Sequence, residues 1–266
     1  MNSSKWTISK IKALKNDKKF ACLTAYDYST ARLVDEAGIP LILVGDSLAM
    51  TMLGYENTLP VTMNAMLHHT AAVVRGVKNA LVVADMPFMS FHVSIQQTMK
   101  NAGRFIKSAG ADAVKIEGGA LRTATVKALT ENGIPVLGHI GLTPQSILTL
   151  GGYKIQGKKT TEAQQLIDDA KALEQAGTFA IVLECVPVML GKEITQAVGV
   201  PTIGIGAGPD CDGQILVTHD LLGIHNKVTP KFVKQYANLT DEMTKAFQNY
   251  KTEVEQGQFP GKEHCY

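Results

Sequence analysis

The sequence lacks several features that define other classes of protein. Its 266 residues contain only four cysteines (Cys22, Cys185, Cys211 and Cys265), and these form no C-x-x-C pair or disulfide-type spacing. They are typical of ordinary thiols in a reducing compartment. The formal net charge is only +2, and no basic run interleaved with aromatic residues is present. We therefore expect no disulfide framework and no nucleic-acid partner.

Long apolar runs are also missing. No segment has the length of an apolar membrane span, so we expect no membrane partner. Residues 1–20 lack the uninterrupted apolar stretch of a secretory signal. Their basic, amphipathic pattern leaves a transit peptide as an alternative, but a short N-terminal helix is the better interpretation. These patterns predict a cytoplasmic protein.

What the sequence does contain is a regular alternation of strand-like and helix-like segments. Short runs rich in Val, Ile, Leu and Ala predict parallel strands buried on both faces. These runs are 20–25, 41–46, 80–85, 113–118, 135–141, 180–185, 201–208 and, more weakly, 213–218. Helical patterns lie between them at 29–38, 61–77, 94–110 and 161–177, and three of these end in Ala-Gly, where a helix C-cap belongs.

About eight βα units follow one another without a linker or a change of composition. This number, in roughly 250 residues, favours an α/β fold of the closed (β/α)8 TIM-barrel type. We predict a single barrel domain over 1–266, with a short N-terminal helix and an extra C-terminal helix at 239–257. An open, doubly wound sheet is the competing fold.

Three of the predicted strands end in a carboxylate. "LILVGD" ends in Asp46, "ALVVAD" in Asp85 and "FAIVLE" in Glu184. The carboxyl ends of barrel strands meet at one mouth, so these acids are expected to converge. An acid at a strand end also often caps the next helix, and that alternative stays open for each one.

The fourth strand carries two charged residues on one face. Lys115 and Glu117 are two residues apart, so both side chains point to the same side of the strand, which must be a polar lumen. His139 lies near the end of the fifth strand and is interpreted as a hydrogen-bonded group behind the site. Several carboxylates in one cavity favour a divalent cation, and oxygen ligands favour Mg²⁺ over Zn²⁺. A structural ion pair between Lys115 and Glu117 is the alternative.

Two glycine-rich stretches indicate function less specifically than the strand-end acids do. "PTIGIGAG" (201–208) lacks the spacing of a nucleotide-binding loop and allows close approach of the backbone to a ligand. "LGGYKIQGKKTTEAQ" (150–164) is predicted to be a loop that closes over the mouth, with an ordinary surface loop as the alternative.

At these residues the sequence closely resembles the ketopantoate hydroxymethyltransferase family. The matching stretches run in order through nearly the whole chain, and one departure is Cys265, where the family pattern has serine. They are "LTAYDYSTA", "LVGDSLAMTMLGYENTLPVT", "ADMPFMSF", "VKIEGG", "GHIGLTPQS", "GGYKIQGK", "LECVP", "IGIGAGPDCDGQILV" and "PGKEH".

The resemblance implies a one-carbon transferase. Its members transfer a hydroxymethyl group from 5,10-methylenetetrahydrofolate to 3-methyl-2-oxobutanoate, giving 2-dehydropantoate (ketopantoate) for pantothenate and coenzyme A biosynthesis. It also implies a homo-oligomer, typically a decamer. No motif in the sequence marks a pterin pocket, so the one-carbon donor follows from the resemblance alone.

The resemblance also implies roles for individual residues. Asp46 and Asp85 resemble Mg²⁺ ligands that also contact the substrate, and Glu117 resembles a third carboxylate of the metal site. Ser47 and Lys115 resemble the groups that hold the oxo acid. Glu184 matches the catalytic base, which would remove the C3 proton to give an enolate that Mg²⁺ stabilises.

Three other functions remain open at this point. Oxo-acid barrels of the isocitrate lyase and phosphoenolpyruvate mutase group use similar carboxylate clusters, although their cysteine loop is not evident here. Lys115 could instead form a Schiff base, as in metal-independent aldolases. A non-catalytic protein that binds an oxo acid or a metal is the third, because a fold alone does not establish catalysis.

Overall fold

The computed structural model describes residues 5–224 and 230–266, which form two compact units, Met1–Val217 and Thr218–Tyr266. The first unit contains a closed barrel of parallel strands in the order of the chain, so the predicted barrel is confirmed and the open sheet is excluded. The strands are β1 (Phe20–Thr24), β2 (Leu41–Val44), β3 (Leu81–Asp85), β4 (Ala113–Glu117), β5 (Val136–Gly141), β6 (Ala180–Glu184), β7 (Thr202–Ile205) and β8 (Gly213–Leu216).

Helices of the first unit connect the strands. They are α1 (Ile8–Lys12), α2 (Tyr28–Glu36), α3 (Leu48–Thr51), α4 (Met63–Gly76), α5 (Ile95–Arg104), α6 (Thr123–Glu131), α7 (Ile147–Leu150), α8 (Thr160–Gln175) and α9 (Val188–Ala197). The predicted caps are present: Thr62 accepts a hydrogen bond from the backbone of Ala65 at the start of α4. Three glycines adopt positive φ just beyond a helix. Gly38 follows α2, Gly177 follows α8, and Gly110 follows a π-helical turn that extends α5.

One connection departs from the predicted repeat. Residues 206–212 join β7 to β8 without a helix, so the glycine-rich stretch after β7 is a direct loop between neighbouring strands. Parallel neighbours are normally joined through a helix, so this connection departs from the βα repeat.

Side chains alternate along each strand between two apolar clusters. Residues such as Ile42, Val82 and Val114 face the helices. Inward-facing residues such as Leu43 and Val83 form a second cluster, and Ile11 and Leu14, in and just after α1, pack against it. The predicted short N-terminal helix therefore belongs to the core of the barrel. On β3 and β4 the same inward-facing register continues from apolar residues into charged ones at the carboxyl end.

The second unit, Thr218–Tyr266, is described by itself. It contains α10 (Thr218–Leu222), α11 (Leu239–Glu255) and a 3₁₀ turn at Lys262–His264. Helix α11 confirms the predicted C-terminal helix at 239–257, and Asn238 caps it by accepting from the backbone of Asp241. That both units make one domain over 1–266 stays a prediction. No helix within residues 5–224 and 230–266 is both long and apolar enough to cross a membrane.

Candidate active site

Four neighbouring strands place charged side chains in one continuous row. Asp85 is the last residue of β3 and is in register with Lys115 on β4. Glu117, two residues further on, is in register with His139 on β5. Glu184 ends β6 beside β5. The row lies at the carboxyl ends of the strands, where barrel enzymes carry their active sites.

Asp46 and Ser47 reach the same mouth from the turn after β2. The backbone N–H of Asp46 donates to Asp85 Oδ2 at 3.0 Å. Ser47 stands at the N-cap position of α3 but makes no capping bond with its side chain, and its hydroxyl lies 2.8 Å from that of Tyr26. The N-cap interpretation therefore does not apply to this pair.

The other two strand-end acids are not helix caps either. Helix α5 is capped by Ser94, nine residues after Asp85. Helix α9 has Pro187 at its N-cap position and no capping side chain. Neither Asp85 nor Glu184 is therefore used as a helix cap, and both side chains lie at the mouth of the barrel.

Lys115 is the central cation of this site. Its Nζ lies 2.9 Å from Asp85 Oδ2 and 3.4 Å from Glu117 Oε1, and all three side chains are at most 4% exposed. Burial disfavours the charged amine, but Asp85, Glu117 and Asp46 together raise the pKa of Lys115, so it stays protonated. The ion pair between Lys115 and Glu117 that the sequence suggests is present, and it forms part of a larger cluster with Asp85.

The carboxylates of the cluster differ in how their charges are stabilised. Burial, together with the charges of Asp85 and Glu117, raises the pKa of Asp46 well above its ordinary value. Burial also raises the pKa of Asp85, although Lys115 opposes this. For Glu117 burial acts in the same direction, yet Lys115 and His139 lower its pKa to about 2. The cluster therefore stabilises the charge of Glu117 and disfavours the charged forms of Asp46 and Asp85.

His139 connects the buried cluster to Glu184. Its Nδ1 lies 3.1 Å from Lys115 Nζ and 3.4 Å from Glu117 Oε1. Its Nε2 is 3.1 Å from Glu184 Oε2, without the alignment of a hydrogen bond. Burial and the charge of Lys115 lower the pKa of His139, but Glu117 and Glu184 outweigh them and raise it to about 9, so Nε2 carries a proton at neutral pH. Glu184 therefore faces an imidazole N–H.

Gln145 is a polar residue of this site that the sequence reasoning did not single out. It lies on the short 3₁₀ turn after β5 and is 4% exposed. Its side-chain amide donates to Asp46 Oδ2 at 3.0 Å and to the carbonyl of Met86 at 2.9 Å. Its backbone N–H donates to Glu117 Oε2 at 3.0 Å. One residue thus orients two of the predicted metal-site carboxylates.

Glu184 differs from the other acids because it opens to the mouth. Its side chain is 16% exposed. The residue that follows, Cys185, has φ +49°, a strained conformation for a side chain other than glycine. The Cys185 carbonyl accepts from the backbone of Gln156, and this bond links the predicted closing loop to the end of β6. That residues 150–164 move to close the mouth stays a prediction.

Tyr153, in the same loop, also lies near the cluster. Its hydroxyl donates to Met50 Sδ at 3.5 Å. Burial and the charges of Glu184, Asp46 and Glu117 raise its pKa, so the phenol remains neutral at physiological pH. The aromatic ring is half exposed at the rim.

The donor set fits a Mg²⁺ ion that keeps open coordination positions. Asp85 Oδ1 and Gln145 Oε1 are buried oxygens with no hydrogen-bond partner. In the described parts of the chain, no group of three or more His, Cys, Asp or Glu residues has the geometry of a ready-made metal site. Mg²⁺ usually binds through one or two carboxylates and keeps several waters, so Asp46 and Asp85 meet this requirement.

Solved structures of other proteins share this fold. The chain is similar to a phosphoenolpyruvate phosphomutase from Streptomyces platensis subsp. rosaceus, with a TM-score of 0.63, 15% identity, and coverage of 94% of this chain and 88% of the other. It is also similar to a 2,3-dimethylmalate lyase, described as a PEP mutase/isocitrate lyase superfamily member, with a TM-score of 0.62, 16% identity, and coverage of 96% and 87%. The chain therefore shares the fold of these proteins, a closed (β/α)8 barrel.

Sequence comparison identifies the family. The model of the ketopantoate hydroxymethyltransferase family matches residues 5–262. The 3-methyl-2-oxobutanoate hydroxymethyltransferase of Syntrophomonas wolfei subsp. wolfei is 57% identical over 98% of this chain and 95% of its own length. That of Clostridium novyi is 59% identical over 96% and 93%. The chain belongs to the ketopantoate hydroxymethyltransferase family, and its activity is that of a 3-methyl-2-oxobutanoate hydroxymethyltransferase in pantothenate biosynthesis.

Proposed function

We propose that the acid cluster at the mouth of the barrel holds Mg²⁺ and the oxo acid, and that Glu184 is the base of the reaction. The observation that carries this proposal is the orphaned, buried Asp85 Oδ1 within a cluster of carboxylates that share one lysine. A buried carboxylate oxygen without a donor is costly unless a ligand completes it. Asp46 and Asp85 would hold the ion, and Glu117 would support it directly or through water.

Mg²⁺, when bound, supplies Lewis-acid stabilisation of the negative charge that develops on the keto oxygen of the substrate. A phosphonopyruvate hydrolase of similar fold (TM-score 0.62, 15% identity) has been solved with oxalate and Mg²⁺. Oxalate carries adjacent carboxylate oxygens, as a 2-oxo acid carries adjacent carboxylate and keto oxygens. This precedent supports the choice of metal without fixing the ligands.

Lys115 and Ser47 hold the carboxylate end of 3-methyl-2-oxobutanoate. Lys115 is the cation among the described side chains of the cluster, and it stays charged because three carboxylates raise its pKa. The hydroxyl of Ser47 is kept in place by Tyr26 at 2.8 Å, so it meets the substrate in a fixed orientation. Its neighbour Asp46 contacts the substrate from the same turn, as does Asp85 from β3.

Glu184 takes the proton from C3 of the oxo acid. It comes from a different strand than the metal-site acids, and it opens to the mouth, so it can face a carbon atom of the bound substrate. Nε2 of His139 lies behind it, 3.1 Å from Glu184 Oε2, and helps to position the carboxylate. His139 is a positioning residue in this account.

The chemical balance requires a one-carbon donor and water. The C3–H bond and the two N–CH₂ bonds of the donor break, while a C3–CH₂ bond and a CH₂–OH bond form. Water supplies the hydroxyl group, and its other proton and the C3 proton end on the two donor nitrogens, so that tetrahydrofolate leaves. The hydroxymethyltransferase identity implies 5,10-methylenetetrahydrofolate as this donor. The donor must enter from the open side of the barrel, where Tyr153 and Glu184 lie.

The test is product formation from 3-methyl-2-oxobutanoate and 5,10-methylenetetrahydrofolate, with Mg²⁺ and after exhaustive chelation. We expect 2-dehydropantoate only in the presence of metal. Product that survives chelation would contradict the metal role. Trapping with borohydride then tests whether Lys115 forms a Schiff base with the oxo acid, and a trapped adduct would replace the base mechanism by an imine mechanism.

We also propose that the chain assembles as a homo-oligomer, a decamer by family resemblance, and acts in the cytoplasm. The apolar side chains of α11 that are exposed in the single chain, including Phe247 and Tyr250, are available for such contacts. Light scattering coupled to size-exclusion chromatography measures the assembly. A monomer at micromolar concentration would contradict this part of the proposal.

A further inference from the structure

Arg122 is a half-buried cation at the mouth that lacks a polar partner. It lies at the start of α6, five residues after Glu117. Within residues 5–224 and 230–266, its guanidinium makes no hydrogen bond or ion pair, and its contact is with the ring of Phe91, 5.4 Å from the centroid. Elsewhere Arg32 pairs with Glu36 at 2.9 Å and Arg104 with Asn64 at 2.8 Å. A partly desolvated guanidinium without an acceptor favours an anionic ligand.

The position of Arg122 is fixed by the turn after β4. A Cβ added to Gly118 would lie 3.0 Å from Arg122 Cγ and 3.5 Å from its Nε. The stem of the arginine therefore lies across the residue that directly follows Glu117. The half-buried side chain of Arg122 therefore lies beside the carboxyl end of β4, next to the buried cluster and more exposed than it.

A histidine with a free donor stands beside this arginine. The ring of His92 packs on that of Phe91 at 4.1 Å. Its Nδ1 accepts the backbone N–H of Met89 at 3.2 Å, which leaves the proton of the neutral imidazole on Nε2. Burial and the charge of Arg122 lower the pKa of His92, which keeps it neutral. Met89 itself adopts φ +64°, so the loop holds this arrangement at a conformational cost.

We propose that Arg122, with His92 beside it, binds the glutamate carboxylates of the one-carbon donor. This inference rests on the proposed function, because that function makes a pteroylglutamate the second substrate. The oxo acid has one carboxylate, and Lys115 and Ser47 hold it inside the barrel. The donor is the longer molecule: its one-carbon unit must reach the buried site, while its glutamate remains at the far end, near the rim. Arginine suits this role because its planar fork binds a carboxylate through two parallel hydrogen bonds.

The experiment compares two donors that differ only in the glutamate. Initial rates are measured with 5,10-methylenetetrahydrofolate and with 5,10-methylenetetrahydropteroate, which lacks the glutamate, for the wild type, Arg122→Met and Arg122→Lys. Arg32→Met, which removes an exposed ion pair on α2, is the matched control. We expect Arg122→Met to raise the KM of the folate donor about tenfold, as loss of a charge-assisted bidentate contact implies. The KM of the pteroate donor, the KM of the oxo acid and kcat should change by less than about twofold, because the lost contact concerns only the glutamate.

Arg122→Lys should recover part of the affinity for the folate donor, since lysine keeps the charge without the fork. An equal rise in KM for both donors, an unchanged KM for the folate donor, or a rise in the KM of the oxo acid would overturn the inference. If the wild type forms no product with either donor, the proposed function fails instead. Calorimetric titration with tetrahydrofolate then decides: binding weakened about tenfold in Arg122→Met supports the carboxylate site, whereas equal or absent binding overturns it.

Discussion

The two ends of the barrel use the same residue type in opposite ways. At the amino ends of the strands, Asp35, Asp112 and Asp212 are buried or nearly so, and each carboxylate oxygen accepts at least one hydrogen bond. Asp35 alone accepts the backbone N–H groups of Lys78, Asn79 and Ala80. At the carboxyl ends, Asp46, Asp85 and Glu117 share a single lysine, and Asp85 Oδ1 has no partner.

This difference separates stability from function within one fold. A buried carboxylate whose oxygens are all satisfied stabilises the chain segments that donate to it. A buried carboxylate with an empty lone pair destabilises the folded protein until a ligand arrives. The amino-terminal acids thus connect loops and strands, while the acids at the mouth remain available for a cation and a substrate. Four substitutions test whether this separation holds.

Glu184→Gln should have the largest effect. Removing the base while keeping its shape should lower kcat by about 10²- to 10⁴-fold, the usual contribution of general base catalysis. The melting temperature should remain near that of the wild type, because Glu184 is partly exposed and glutamine keeps its shape. Steady-state kinetics with Mg²⁺ and both substrates measures this. Glu193→Gln, on the exposed face of α9, is the matched control, and near-normal turnover of Glu184→Gln would remove the base assignment.

Asp35→Ala should change stability rather than catalysis. It leaves three backbone N–H groups without their acceptor, and we expect the free energy of unfolding to fall by about 3 kcal/mol. The kcat of the remaining folded enzyme should be unchanged, since Asp35 is at the opposite end of the barrel. Urea unfolding measures the loss. Glu36→Ala, which breaks only an exposed ion pair with Arg32, should cost less than about 0.5 kcal/mol. A similar loss of unfolding free energy in Asp35→Ala and Glu36→Ala would contradict a structural role for the Asp35 carboxylate.

Gln145→Met should weaken catalysis moderately. Methionine preserves the volume but loses the hydrogen bonds to Asp46 and to the Met86 carbonyl, so Asp46 is less well oriented. We expect kcat/KM to fall about tenfold, and the Mg²⁺ concentration for half-maximal rate to rise, as when a partner of a metal ligand is removed. Gln164→Met, at an exposed position of α8, serves as the control. Unchanged metal dependence would show that Gln145 acts only in packing.

Asp46→Asn should stabilise the metal-free protein by about 1 kcal/mol, because a buried charge is replaced by a neutral amide. The pKa of Asp46 is raised in the folded protein above its ordinary value of 3.8. The protonated side chain therefore contributes stability that is fully present below pH 3.8. That stability is lost as pH rises through the raised pKa, because the buried side chain then becomes charged. The advantage of the variant should therefore be larger at pH 8 than at pH 5. Thermal unfolding in chelator measures this difference, with exposed Asp168→Asn as control. A variant less stable than the wild type at pH 8 would refute it.

The sequence predicts the fold well because its signals are local. Apolar runs, Ala-Gly helix ends and the Thr62 cap each determine a neighbouring element, and the eight strands lie where those signals place them. The acids at the mouth are predictable for the same reason, since each one ends a strand or, like Asp46, follows it in the next turn. The two-residue spacing of Lys115 and Glu117 predicts that both side chains face the lumen of the barrel, and in the structure both are buried on β4.

The remaining parts of the site depend on contacts between distant residues. Gln145 has no charge and stands in a turn, so nothing local indicates that its amide reaches Asp46, 99 residues away. In the sequence Asp35 is an ordinary residue of a predicted helix, and nothing local indicates that its carboxylate accepts the backbone N–H groups of residues 78–80. Arg122 and His92 follow different strands, and the pairing of β3 with β4 makes them neighbours.

The most direct test of the contrast between the two ends is calorimetric titration of Mg²⁺ into chelated protein. The account predicts saturable binding near one ion per chain in the wild type and in Asp35→Asn, and loss of binding in Asp85→Asn. No binding by the wild type, or equal binding by wild type and Asp85→Asn, would contradict the claim that the unsatisfied acids at the mouth are a metal site.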